Sequence, residues 1–183
     1  MSMRSLFSLL AAATVLASPC THAAASAADA LGPQHQLLAG LAGQWTVRQS
    51  FWTDPAKPPA IDRGTARFTP ILAGQHLRQE LHIDAAGKPF DGLGYLGYDQ
   101  AAGDYGSLWM DVNFKGVILA HGGYDAATHA FTFVGQAPDA KGALSPLREV
   151  LHIQDADHFT YEYYERHDGK EGLAVRLEYA RAK

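Results

Sequence analysis

The sequence has a single cysteine, Cys20, and no cysteine follows it in the remaining 163 positions. No disulfide can therefore staple the body of the chain, which excludes the small disulfide-framed folds and leaves stability to a packed core. Clusters of lysine or arginine are also missing. The formal charge is −4 at pH 7, and a nucleic-acid partner is disfavoured because phosphate recognition depends on gathered cations. Beyond the N-terminus no apolar run is long enough to span a bilayer, so no membrane span is expected.

What is present begins with a leader. Arg4 supplies a short basic start, Leu6 to Ala17 form a short apolar stretch, and Pro19 and the small residues Ala23, Ala24 and Ala25 follow. This is the pattern of a cleaved secretory signal, with the cut between Ala23 and Ala27. An uncleaved anchor is the rival reading, and the short apolar stretch counts against it. Lipidation at Cys20 would need a small residue before it, where Pro19 stands. The expected organisation is a leader at 1–25 and one domain at 26–183, in a periplasmic or secreted protein. Losing Arg4 with the leader takes the charge from −4 to −5. A domain of about 155–160 residues buries about 68–70% of its unfolded surface, enough for a core without staples.

The mature chain opens on a helical pattern after Pro33, with Leu37, Leu38 and Leu41 on one face and Gly43 as its stop. The period then changes to two. Trp45, Val47 and Phe51 alternate with polar neighbours, as do Gly64, Ala66 and Phe68, then Leu77, Leu81 and Ile83. Leu147, Leu151 and Ile153 repeat the pattern, and so do Leu173, Val175, Leu177 and Tyr179. Turn signals separate these runs at Asp54-Pro55, Ala73-Gly74, Ala86 to Pro89, Gly103-Asp104, Asp139 to Gly142 and Asp168-Gly169. Short strands with polar turns describe an all-β meander of about ten strands. Glycines inside strands at Gly92, Gly94, Gly97, Gly106, Gly116 and Gly122 favour a strongly coiled sheet. Closure would also remove exposed edges. The expectation is a single antiparallel up-and-down β-barrel with a short N-terminal helix, and a two-sheet sandwich is the rival.

A Gly-x-Trp at Gly43-Gln44-Trp45, opening the first strand after a short helix, resembles the calycins: lipocalins, fatty-acid-binding proteins and nitrobindins. That resemblance implies an arginine near the end of the last strand packed over the tryptophan, and Arg181 holds the matching place. A wider set of motifs is similar to domain-of-unknown-function family 1579, a bacterial group with calycin-like barrels. It comprises Leu41 to Trp45, Phe51 to Pro55, Gly92 to Asp99, Trp109 to Asp111, Arg148-Glu149 and Tyr179 to Arg181, within roughly residues 35–181. The resemblance implies a fold and no reaction.

With Trp45 inward, alternation turns Gln49 inward, puts Gln79 among Leu77, Leu81 and Ile83, and puts Glu149 among Leu147, Leu151 and Ile153. Polar groups on apolar faces cost roughly 1–3 kcal/mol each when buried without partners. They must bond to one another, to water or to a ligand; one internal arrangement pairs Glu149 with Arg148 or Arg176. The aromatics Trp109, Phe131, Phe133, Phe159, Tyr161 and Tyr163 either line a pocket or plug the barrel. Gln49, Gln79, Glu149, Trp109 and Tyr163 are the candidate ligand-binding residues, and Trp45 with Arg181 the structural closure.

No metal site and no cofactor are expected. His76 and His82 are six residues apart on a strand, which separates them by about 20 Å, too far to share an ion. Haem held by one histidine inside the barrel stays open, with His121, His152 and His158 as candidates. Ser107 lacks a nucleophile-elbow context, and Asp111 with Glu162 could do acid–base work only if a pocket joined them. The leading functional expectation is an exported barrel that binds a small apolar or amphipathic molecule. A barrel enzyme (isomerase, cyclase or haem protein) and a non-catalytic envelope interaction module are the alternatives. No feature of the sequence speaks to oligomeric state.

Overall fold

A computed structural model describes residues 31–85, 87–138, 142–167 and 169–183. The leader, Cys20, its cleavage region, and the turns at Ala86, Asp139 to Lys141 and Asp168 lie outside the described residues. One helix, α1 (Pro33–Ala39), precedes ten strands: β1 (Gly43–Phe51), β2 (Ala60–Ile71), β3 (His76–Ile83), β4 (Phe90–Asp99), β5 (Asp104–Asp111), β6 (Phe114–Asp125), β7 (Ala130–Pro138), β8 (Leu144–Ile153), β9 (His158–His167) and β10 (Lys170–Arg181). Each strand pairs antiparallel with the next, and β1 pairs with β10, so the sheet closes into an up-and-down barrel. Closure satisfies every strand's ladder and leaves no edge. The sandwich is thereby excluded.

Two local readings are corrected. The helix stops at Ala39 with Gly40 as its cap, whose N–H reaches back to the carbonyls of Gln36 and Leu37, while the Leu41 N–H takes that of Leu38. Gly43 instead opens β1 with φ +133°, a conformation in which a side chain is strained. A Cβ there would also lie 2.6 Å from Arg181 Nη1. In β10 the register shifts between Leu173 and Val175. Leu173 falls opposite Tyr164, in the outer row, while Ala174 is buried and its carbonyl accepts the Trp52 N–H at 2.8 Å. The inward series in this strand is therefore Val175, Leu177 and Tyr179. A bulge inserts one residue and flips everything before it.

The barrel's two ends differ. At one end Trp45, Phe68, Phe159 and Tyr179 pack edge-to-face and stacked, with centroids 4.1 to 6.5 Å apart. Tyr105 and Phe131 extend that cluster around the wall at 4.9 Å. Leu38 of α1 and the following Leu41 are 3% and 2% exposed, so this segment is part of the plug. Arg181 lies over the Trp45 ring at 4.2 Å and donates to the carbonyls of Gly40, Ala42 and Ala156. Trp45 Nε1 donates to the Leu41 carbonyl at 3.0 Å. The arginine thus ties the last strand, the helix exit and the β8–β9 turn into one closed floor. Among the described residues no helix is long and apolar enough to cross a membrane.

Candidate functional site

The opposite half of the barrel is hollow. A cavity of about 440 Å³ lies between the aromatic floor and the end where β1 finishes and β2 begins. Its apolar wall includes Leu81, Leu96, Ile118, Leu151, Val175 and Leu177. The six candidate aromatics split by height. Phe131 and Phe159 belong to the filled end, whereas Trp109, Phe133, Tyr161 and Tyr163 line the cavity. Phe131 and Phe133 face inward from the same strand, two residues apart, and fall on opposite sides of this divide.

Trp109 lies flat because its neighbours have no side chains. β4 presents Gly92 and Gly94 opposite Asp111 and Trp109, and a Cβ on Gly92 would come within 2.2 Å of the indole. The ring stacks on Phe90 at 6.4 Å and 16°. Its Nε1 donates to Asp111 Oδ2 at 2.9 Å, while Oδ1 accepts the N–H groups of Asn113 and Phe114. Gly92 and Gly94 thus make room for an aromatic wall instead of relieving a bend. Gly122 does fit the bending reading, since a Cβ there would meet the Thr132 carbonyl at 1.8 Å.

Gln49, Gln79, Glu149, Trp109 and Tyr163 all border this cavity. The three polar positions do not bond to one another. Gln79 Nε2 donates to Tyr179 Oη at 3.0 Å. Glu149 is 3% exposed, and the hydroxyls of Ser107 and Tyr161 lie beside it and favour its charged form. Burial pushes its carboxyl above the ordinary carboxylate range, against the smaller opposing pull of those two hydroxyls. Tyr161, Tyr163 and Tyr179 are all raised, chiefly by burial. Arg148 and Arg176, one residue out of phase, point outside. Arg148 pairs with Glu171 at 2.7 Å and covers the Tyr164 ring, and Arg176 pairs with Glu162 at 2.6 Å. The expectation that either arginine neutralises Glu149 is corrected by strand parity alone.

The same parity separates the candidate acid–base pair. Asp111 is at the cavity mouth, and Glu162 is on the outer wall with Arg176 and Tyr164. His121, His152 and His158 are exposed, with His121 near Asp104 at 3.3 Å and His158 near Asp155 at 3.0 Å. No histidine is among the cavity's lining residues. Among the described residues no group of three or more His, Cys, Asp or Glu could hold a metal ion. The outer face of β6 and β7 exposes Val117, Leu119 and Val134, interleaved with Lys115, His121, Thr132 and Gln136.

Among the polar lining residues, Asp62 and Lys88 have no place in the sequence analysis, and Ser107 appears there only as a nucleophile without its motif. Asp62 lies opposite Gln49, and Ser107 is in phase with Trp109; both follow from alternation carried two residues further. Lys88, whose Nζ reaches Asn113 Oδ1 at 3.2 Å, comes from a turn, where alternation gives no signal.

A family model described as a protein of unknown function, DUF1579, matches residues 30–181. Among solved structures, Rv2717c from M. tuberculosis is similar at TM-score 0.61 and 20% identity, covering 84% of this chain and 100% of that chain. The likeness is one of fold. A redesigned beta barrel, b11L5F_LGL, matches at TM-score 0.43 and 14% identity over 80% of this chain and 96% of that one. A de novo designed fluorescence-activating beta barrel matches at TM-score 0.43 and 13% identity, over 79% of this chain and 96% of that one. No curated protein matches the chain.

Proposed function

The chain belongs to the DUF1579 family, and on that premise we propose that it is an exported barrel protein that binds one small, partly apolar molecule in the open half of its barrel. The observation that carries this reading is the contrast within one barrel. One end is filled by stacked aromatics, while the other encloses about 440 Å³ behind apolar walls. Small-molecule sites typically occupy about 300–1,000 Å³, lined by apolar groups with a few convergent polar ones. Dispersion and desolvation along Leu81, Ile118, Leu151 and Trp109 would supply affinity. Gln49 and Tyr163 border the cavity with no side-chain partner among the described residues, so both are free to orient a ligand's polar end. Glu149 is the charged-capable group at depth. Export rests on the leader at residues 1–25, which lies outside the described residues.

Native mass spectrometry of protein purified from its own host tests the reading. A bound mass of a few hundred daltons at one copy per chain is the expected result. Protein that carries no such mass, and acquires none from a host extract, would overturn it.

A further inference from the structure

The cavity's charge has a sign. Its described lining residues include three carboxyls, Asp62, Asp111 and Glu149, against one cation, Lys88. Lys88 is at the rim, bonded to Asn113, and Asp111 is turned onto Trp109 and its own turn's N–H groups. Glu149 is the deepest of the three and is 3% exposed. The groups that face it are Ser107 from β5, Tyr161 and Tyr163 from β9, and neutral Phe133 from β7. No arginine, lysine or histidine joins them. Gln49 and Gln79 complete the polar lining and carry no charge.

The Ser107 and Tyr161 hydroxyls beside Glu149 both favour its charged form. A buried anion with no counter-charge is costly. A ligand carboxylate would meet like charge at this depth and no cation to offset its desolvation. A ligand ammonium would meet the missing counter-ion, and aromatic rings on several sides would favour a cation further.

We propose that the cavity selects a molecule with a protonated amine on an apolar body, with Glu149 as the partner of the ammonium. This rests on the reading that the cavity binds a small ligand, and it names the class. In the complex the Glu149 carboxylate pairs with the ligand's –NH₃⁺. The bound pair has no net charge. Ser107 and Tyr161 present their hydroxyls to the carboxylate, and Tyr163, opposite Glu149 on β9, borders the same space.

The test compares three probes with one body and different heads: 4-phenylbutylamine, 4-phenylbutan-1-ol and 4-phenylbutyrate. Each is titrated calorimetrically into the mature protein at pH 7. The amine is expected to bind at least tenfold more tightly than the alcohol, with the carboxylate weakest. In Glu149→Gln the amine should fall to within about twofold of the alcohol. Retained alcohol binding shows that the variant's cavity is intact. An alcohol or carboxylate as tight as the amine overturns the proposal, and so does a preference that survives in Glu149→Gln. If none of the probes binds while host-purified protein carries a bound mass, the amine assignment falls and the binding reading stands. If host-purified protein is empty as well, both fall.

Discussion

Glu149 sits among Leu147, Leu151 and Phe133 with two hydroxyls for partners, and this ties the protein's stability to pH. Its folded pKa is raised above the ordinary 4.5 by burial. The folded state therefore holds the proton more tightly than the unfolded chain does. The stabilisation from that proton is fully present below about pH 4.5 and is lost as pH rises through the folded value. Glu149→Gln removes the titration while nearly keeping the shape. Urea unfolding of both proteins from pH 4 to 8 should show wild type losing stability relative to the variant as pH rises. A difference that stays constant or moves the other way would contradict the burial argument. At this scale much is legible in the sequence, since alternation alone brings Gln49, Gln79 and Glu149 to the cavity. Alternation cannot supply their partners, because Tyr161, Ser107 and Tyr179 come from strands whose heights are set by register.

Elements decide which inward residues meet. The segment from Pro33 to Leu41 closes one end, burying Leu38 and Leu41 against the aromatic floor, and Arg181 pins its exit through the carbonyls of Gly40 and Ala42. Leu38→Ala should cost about 2–4 kcal/mol, as for other buried leucines whose removal leaves a cavity. Ligand affinity should be unchanged, since this end lies across the aromatic floor from the cavity. A lowered urea midpoint with unaltered amine titration is the expected pair of results; a matching loss of affinity would show that the two ends are coupled. The helix is visible from its leucine spacing, but Gly43 is misleading as its stop, since glycine marks both a helix exit and a strand entry of positive φ. The bulge at Ala174 is invisible for a plainer reason. Leu173 and Val175 alternate correctly on paper, and only pairing with Tyr164 and Tyr163 reveals the inserted residue.

For the whole molecule, the sequence supports a closed meander because each run alternates and each turn is short, and the ten strands close as β1 meets β10. It leaves open whether the barrel is filled, and the answer depends on height. Phe131 and Phe159 fill one half, while Phe133 and Trp109 wall the other. Residue type cannot distinguish the two roles, because each is an inward aromatic on a strand. The two small residues under Trp109 are the nearest thing to a local signal, since Gly92 and Gly94 free the space that a flat indole then covers. The charge distribution follows from the same layering, with paired ions outside and Glu149 the buried carboxyl of the cavity.

The hollow half is the central claim, and the unfolding free energy of Ile118→Trp tests it most directly. Ile118 faces the cavity from β6 opposite Trp109. An added ring in a filled core costs about 1–3 kcal/mol through overpacking, whereas an enclosed void accepts it and gains contacts. The predicted result is a stability equal to or above wild type, within about 0.5 kcal/mol on the low side. A loss of about 1–3 kcal/mol, the overpacking cost of a filled interior, would contradict the open cavity and everything built on it.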